Sequence, residues 1–320
     1  MDAATLIGSQ PSKLTSVKAL AESLHLSSIP SSYTFPKHAN DEAYSGTTES
    51  IPIIDFSLLT SSNPVERSKM IQELGNACQD WGFFMVTNHG VPESTMKAMI
   101  EACRQFFELT EEEKGEYEGK HVLDPIRSGT SFNASVEKVL YWRDYLKIFQ
   151  HPQFHSPNNP PAFRKLHRKG RKSGKQPSIM IANLYPPCPQ PELAMGLPAH
   201  SDHGLVTLLI QNEIGGLQVQ HNGKWVNIHP LPNSFLANIG DHVEYKSVLH
   251  RAVVNNKHVR ISIALSNGPA LDAAVSPASK FLEDGWSPPA YGAMTYREYV
   301  ELQQSNKLDG KSCLERIRNS

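Results

Sequence analysis

The sequence predicts a mainly β fold with flanking helices: a double-stranded β-helix (jelly-roll) core preceded by an N-terminal α/β region. Three observations predict it. From Ile179 onward, short apolar segments alternate with Gly, Pro and Asn turns, the spacing of a closed or two-sheet β structure. Between Ile51 and Leu109 the apolar period switches from strand to helix twice. Finally, two imidazoles and one carboxylate, His200, Asp202 and His250, fall on strand-like segments, where a closed β core can bring them together.

Residues 1–50 are rich in Ser, Thr and Pro and read as a partly ordered arm with one short helix near Leu14 to Leu24. The N-terminal region, residues 51–160, begins with a strand at Ile51 to Phe56 (IPIIDF) and a helix from Val65 to Asp80. A second strand, Trp81 to Asn88 (WGFFMVTN), ends at His89-Gly90, and Pro92 to Leu109 follows as an amphipathic helix. The run Glu111-Glu112-Glu113-Lys114 is a solvated helical turn. Residues 161–178 form a basic loop with Arg164, Lys165, Arg168, Lys169, Arg171, Lys172 and Lys175. The core, residues 179–275, contains the strands IMIANLY, LVTLLIQ, GLQVQ, KWVNIHP, SFLANIG, HRAVV and RISIAL, with a hairpin signal at His221-Asn222-Gly223-Lys224. Residues 276–320 read as a C-terminal helical tail, and no internal repeat is apparent.

The whole chain sets bounds on function. Its 320 residues can bury a large core, and 31 basic against 32 acidic residues leave a formal charge of -1, so no global field advertises nucleic acid or membrane. Cys78, Cys103, Cys188 and Cys313 are far apart and form no Cys-x-x-Cys pair, which fits a reducing compartment. The N-terminus has no apolar run of signal-peptide length and no stretch approaches a membrane span. The expected location is cytoplasmic, with a nuclear share compatible; the oligomeric state is left open.

The chemistry lies in the C-terminal half. On a strand, side chains at i and i+2 share a face, so His200 and Asp202 point together while Ser201 points away. His200 and His203 would share a face only on a helix, which Pro198 and Gly204 oppose. With His250, the pair makes two imidazoles and one carboxylate that leave open positions on a metal, the set expected of non-haem Fe(II) oxygenases. The strand His258 to Leu265 puts Arg260, Ser262 and Ala264 on one face. An Arg pointing inward needs a partner. A carboxylate held by its planar fork, with help from the Ser262 hydroxyl, supplies one, so the pattern predicts a dicarboxylate co-substrate.

At this point the chain resembles the plant-type Fe(II)/2-oxoglutarate-dependent dioxygenases. The resemblance runs from Ile51 onward, through IPIIDF and DWGFFMVTNHGVP to NLYPPCPQPELAMGLPAHSDHG, GGLQVQHNGKWVNIHPLPNSFLANIGD and YKSVLHRAVVNN. It implies that His200, Asp202 and His250 bind Fe(II), and that Arg260 and Ser262 hold the distal carboxylate of 2-oxoglutarate. It further implies that Asn183 and Tyr185 contact the co-substrate; for Tyr185 the plain alternative is a strand aromatic packed beside Pro186-Pro187. The implied reaction consumes molecular oxygen and 2-oxoglutarate, releases succinate and carbon dioxide, uses ascorbate as reductant, and oxidises a small-molecule substrate, by default through hydroxylation, with desaturation or demethylation open to the same site. Pocket walls are sought at Phe132, Trp142 and Tyr145 and at Ser266 and Gly268, with core packing the alternative for Trp142. An aromatic-lined cleft suits a flat, apolar metabolite such as a flavonoid or phenylpropanoid.

Against that family the chain has two gaps. Asn183 follows Phe163 by twenty positions where relatives carry a long helical segment, roughly thirty residues more, so the piece here is a loop. Its loss is expected to leave an apolar patch uncovered. Between Asp241 and Tyr245 the connection is shorter by roughly six residues and lacks the relatives' Ser-Asn-Gly turn. An active hydroxylase is therefore weighed against a truncated, catalytically inactive family member that retains every ligand. A third class, a nucleic-acid-binding module using the basic loop, is disfavoured because no aromatics interleave the charges.

Overall fold

The computed structural model describes residues 15–23, 26–36, 50–163, 177–277 and 291–319. The basic side chains of the 161–178 loop, from Arg164 to Lys175, lie outside the described residues, as does most of the 1–50 arm. In chain order the elements are α1 (Val17–Ala21), β1 (Ile53–Asp55), α2 (Phe56–Leu59), α3 (Pro64–Asp80), β2 (Phe83–Thr87), α4 (Glu93–Phe107), α5 (Glu111–Gly115), β3 (Ile126–Thr130) and β4 (Asp144–His151). The core follows with β5 (Ser178–Tyr185), β6 (Leu197–His200), β7 (Val206–Gln211), β8 (Leu217–His221), β9 (Lys224–Ile228), β10 (Phe235–Ile239), β11 (His250–Ala252) and β12 (Arg260–Asn267). A short ribbon, β13 (Ala274–Val275) with β14 (Met294–Thr295), and the helices α6 (Tyr296–Ser305) and α7 (Ser312–Arg316) complete it.

Local chemistry explains these boundaries. Asn63 caps α3 by accepting from the Val65 N–H, and Pro64 takes the first helical position, where its missing donor is not needed. Thr110 and Glu113 close a capping box at α5, and Thr295 with Glu298 do the same at α6. The β8–β9 hairpin turns on Asn222 and Gly223 with φ of 49° and 76°, the left-handed pair that the Asn-Gly signal demands.

Eight strands form one sheet in the order β1-β2-β10-β7-β12-β5-β4-β3, and four form a second, β6-β11-β8-β9. Every neighbouring pair is antiparallel except β1 and β2. This is the jelly-roll core with its N-terminal α/β region. Strands β3 and β4 are an addition to the sequence reading, in which only Tyr145 of β4 figures, as pocket wall. Gly129 and the polar residues of IRSGT dilute the strand signal of β3, while β4 is secured by its long pairing with β5.

The large sheet is buried on both faces, and parity divides the work. Leu146 and Ile148 of β4, Met180, Ala182 and Leu184 of β5, and Ile261 and Ile263 of β12 point outward into one cluster with Cys103, Phe106 and Phe107 of α4. At the other end, α3 packs Met70, Ala77 and Cys78 on Phe84, Val86, Ala237 and Ile239. The uncovered apolar patch expected from the missing helix is therefore absent among the described residues. Helix α4, with Tyr117 and Phe163, covers the outer faces of β4, β5 and β12. The arm is also tied down: Asp144 accepts from the Val17 and Lys18 N–H groups at 2.9 and 2.8 Å, capping α1 from across the sheet.

Leu146 is fully buried in the outer cluster. Leu146→Ala is expected to lower the unfolding free energy by about 2–5 kcal/mol, read from chemical denaturation of the full chain.

Candidate functional site

The two candidate imidazole ligands are cross-strand neighbours. Strands β6 and β11 pair antiparallel with His200 directly opposite His250, which brings the ring centroids to 4.2 Å. His200 Nδ1 lies 2.8 Å from the Pro198 carbonyl and His250 Nδ1 lies 3.3 Å from that of Val248. Donation from both Nδ1 atoms leaves both Nε2 lone pairs for a common third party. That party is beside Asp202, whose Oδ1 sits 3.7 Å from His200 Nε2 and 3.6 Å from His250 Nε2. The three side chains offer ligand atoms all within 4.8 Å of one another. Asp202 Oδ2 accepts from Asn238 Nδ2 at 2.9 Å, fixing the carboxylate's rotation.

One detail of the sequence reading is corrected. Strand β6 ends at His200, so Asp202 is not a strand residue sharing its face. Gly204 turns the chain at φ 88°, and the Asp202 carbonyl accepts from the Asp241 N–H at 2.9 Å. Asp202 converges because this turn and Asn238 aim it. The shortened 241–245 connection still delivers His250. Asp241 accepts from Ser201 Oγ, Ser247 Oγ and Tyr299 Oη, and Lys311 Nζ donates to the Ser247 carbonyl at 2.7 Å. The tail also reaches β6 directly, with Gly310 N–H donating to the Ala199 carbonyl at 2.9 Å.

Burial, with the neighbouring His250, pushes the His200 imidazole well below its usual range and keeps it neutral. Burial alone would raise the Asp202 carboxyl, but His250, His200 and the Asn238 hydrogen bond outweigh it and hold the group ionised. Two imidazoles with one ionised carboxylate form a donor set that suits a divalent first-row metal.

Arg260 points into the same cavity from β12. It is 1% exposed; Nη2 donates to Gln211 Oε1 at 2.8 Å, yet Nε and Nη1 have no partner. The Tyr185 ring lies 5.0 Å from the guanidinium carbon, and the Cα partners Arg260–Tyr185 and Ser262–Asn183 put the four predicted co-substrate residues side by side. Asn183 Nδ2 is 3.4 Å from Ser262 Oγ, and its Oδ1 is buried without a partner. Among the described residues, the buried side-chain atoms left unpaired belong to Arg127, Asn183, Thr207 and Arg260, all of which line one cavity of about 1080 Å³ including its mouth. Buried polar groups are normally paired, so this concentration marks a place for a polar guest, with the guanidinium nitrogens of Arg127 and Arg260 favouring an anion.

Of the predicted pocket walls, Phe132, Tyr145 and Ser266 line the cavity. Gly268 does not: a side chain there would run into the hydroxyl and ring edge of Tyr296, so the position serves packing of α6. Trp142 is core, fully buried, with Nε1 donating to the Pro186 carbonyl at 3.2 Å. Sequence reasoning missed Asn238, Gln211 and the cavity cations Arg127, Arg143 and Lys147. A signal existed for two of them: Asn238 interrupts the apolar strand FLANI, and Lys147 interrupts the apolar run YLKIF within β4.

Two family models match the chain, the N-terminal model for non-haem dioxygenase in morphine synthesis over residues 51–169 and the 2OG-Fe(II) oxygenase superfamily over residues 176–269. The chain is 42% identical to 2-oxoglutarate-dependent dioxygenase 19 of Oryza sativa subsp. japonica, covering 85% of this chain and 91% of that protein. It is 36% identical to flavanone 3-dioxygenase 2 of the same organism, covering 84% and 87%. The crystal structure of JOX2 in complex with 2OG, Fe, and JA superposes with a TM-score of 0.83 at 30% identity, covering 97% of this chain and 99% of that one.

Asn238→Ala removes the amide hydrogen bond to Asp202 Oδ2. It is expected to weaken binding of Fe(II) or Mn(II) by about 10–100-fold, measured by anaerobic titration, with the circular dichroism spectrum unchanged.

Proposed function

Because this chain belongs to the plant Fe(II)/2-oxoglutarate-dependent dioxygenases, we propose that it oxidises, by hydroxylation, a small specialised metabolite such as a flavonoid or phenylpropanoid in the cavity between its two sheets. In this reading His200, Asp202 and His250 hold Fe(II), Arg260 and Ser262 take the distal carboxylate of 2-oxoglutarate, and Tyr185 and Asn183 flank it. The observation that carries the proposal is Arg260: a guanidinium 1% exposed, two of its nitrogens unpaired, facing the same cavity as the His-Asp-His set. An anion beside such a group offsets the cost of its burial.

When bound, Fe(II) with 2-oxoglutarate supplies activation of molecular oxygen, with decarboxylation to succinate and carbon dioxide balancing oxidation of the substrate, and ascorbate keeps the metal ferrous. The chain's own residues position and shield that chemistry. The Pro198 and Val248 carbonyls set the imidazole tautomers, and Asn238 fixes Asp202. Phe83 packs edge-on against the His250 ring at 5.2 Å, and Leu217 and Leu236 keep water from the ligand side. Phe132 and Tyr145 offer aromatic walls to a flat substrate.

Convergence of all three ligands despite the shortened 241–245 connection supports an active enzyme over a catalytically inactive member. A cytoplasmic site of action belongs to the same proposal, supported by four unpaired cysteines. No helix among the described residues is long and apolar enough to cross a membrane.

Anaerobically purified protein given Fe(II), 2-oxoglutarate and ascorbate, then oxygen, is expected to release succinate above the level of a His250→Ala control. Binding neither Fe(II) nor 2-oxoglutarate would favour the inactive reading. Arg260→Gln is expected to weaken 2-oxoglutarate binding by about 10–100-fold, because it removes charge-assisted hydrogen bonds, while leaving metal affinity unchanged in the same anaerobic titration.

A further inference from the structure

Asp202 is followed directly by a third histidine that the metal set does not use. His203 is 5% exposed and lines the same cavity as His200, Asp202 and His250. The large sheet sets its place. Ser266 of β12, Thr207 of β7 and Asn238 of β10 are successive cross-strand partners in one inward row, and all three line the cavity. Asn238 Nδ2 donates to Asp202, and Ser266 Oγ, two strands away, donates to the His203 carbonyl at 3.3 Å. His203 therefore stands beside the metal set, over the part of the sheet remote from the co-substrate residues. Ser262 lies four residues back from Ser266 along β12, roughly 13 Å away.

The ring is held by a hydroxyl built into the fold. Tyr296 Oη lies 2.7 Å from His203 Nδ1, and the tyrosine is buried at the start of α6. That hydroxyl occupies the space a Cβ would need at both Gly204 and Gly268, so neither position accepts a side chain while Tyr296 is in place. His242 stands edge-on to the Tyr296 ring at 5.4 Å, and its Nδ1 accepts from the Gly204 N–H at 3.1 Å. Among the described residues, His203 Nδ1 is the acceptor that Tyr296 Oη reaches, so the hydroxyl donates and Nδ1 accepts. An imidazole that accepts at Nδ1 carries its hydrogen on Nε2. Tyr296 thus fixes both the orientation and the tautomer of the ring. Nε2 has no partner among the described residues and, unlike Arg260 Nε and Nη1, is not sealed from the cavity. A carbonyl oxygen suits such a donor, because it accepts a hydrogen bond without bringing a proton of its own to be placed.

We propose that His203 is a specificity-determining residue whose Nε2–H donates to a carbonyl oxygen of the substrate beside the metal centre, and that Tyr296 positions it for that role. What happens to the molecule so held rests on the dioxygenase reading. The carbonyl contact is separate from the co-substrate's: it lies at the Ser266 part of β12, whereas Arg260 and Ser262 are at its start. A substrate pinned there by its oxygen presents the neighbouring carbon to the His-Asp-His set.

The test uses the full chain with Fe(II) and saturating 2-oxoglutarate under anaerobic conditions. The probes are 1-indanone, 1-tetralone and 4-chromanone, each titrated calorimetrically beside the compound that lacks the carbonyl, namely indane, tetralin and chroman. Apolar transfer by itself favours the carbonyl-free member of every pair. At least one ketone is nevertheless expected to bind about fivefold or more tighter than its counterpart, the preference that one net hydrogen bond confers. His203→Phe should bring that ratio to about one or below, and His203→Gln, which keeps an N–H at similar reach, should restore part of it. Tyr296→Phe should lower the ratio by about twofold, because the ring loses its fixed tautomer. A purely structural role gives a different result: His203→Phe and Tyr296→Phe would both lower the melting temperature and weaken ketone and hydrocarbon alike, and that outcome overturns the proposal. So does the absence of any ketone preference in the wild-type chain, or a preference that survives His203→Phe. Should His203→Phe fail to melt cooperatively, the smaller His203→Leu takes its place in the same comparison. Failure of the dioxygenase reading is recognised separately, because the wild-type chain would then bind no 2-oxoglutarate, whatever its preference among ketones.

Discussion

A strand has two faces, and the central strands of this protein cannot give either to water. That constraint organises the molecule. On β5 and β12 the outward residues are Met180, Ala182, Leu184, Ile261 and Ile263, which supply the apolar area that α4 covers. The inward residues are Asn183, Tyr185, Arg260 and Ser262, which line the cavity. Slipping either strand by one residue would bury the guanidinium among phenylalanines and turn isoleucines into the cavity. The stability of the outer cluster therefore fixes the register of the site, and the polar inner face can be as unfavourable as its ligands require.

The same alternation explains what was legible in the sequence. Arg260, Ser262 and Ala264 could be assigned to one face from period alone, because β12 is regular over its length. His200 and Asp202 were placed together for a reason that holds only in part. The strand stops at His200, and the approach of Asp202 depends on Asn238 and on the Asp241 backbone, partners more than thirty residues away. Long-range aim of this kind has no local signature. The cations of β3 and β4 are hidden differently: β3 lacks a strong β pattern, and a lysine in the apolar run of β4 has meaning only once its inward direction is known.

The shortened segments show where the fold tolerates loss. A missing helix would matter if nothing else covered β4, β5 and β12, but α4 brings Phe106 and Phe107 to those strands, with Phe163 at the margin. The trimmed connection after β10 is held by side chains in place of a turn motif, with Asp241 receiving hydroxyls from Ser201, Ser247 and Tyr299. Register on β11 is set independently by pairing with both β6 and β8. His250 thus depends on two neighbouring strands more than on the length of the chain that leads to it.

The contacts of the tail have a consequence for biosynthesis. Gly310 donates to the carbonyl just before His200, Lys311 anchors Ser247, and Tyr299 of α6 reaches Asp241. All three follow every ligand residue in the chain. A nascent chain with every ligand residue already translated would still lack the braces on both sides of the centre. A product that stops short of α6 would carry the full ligand set without the frame that aligns it.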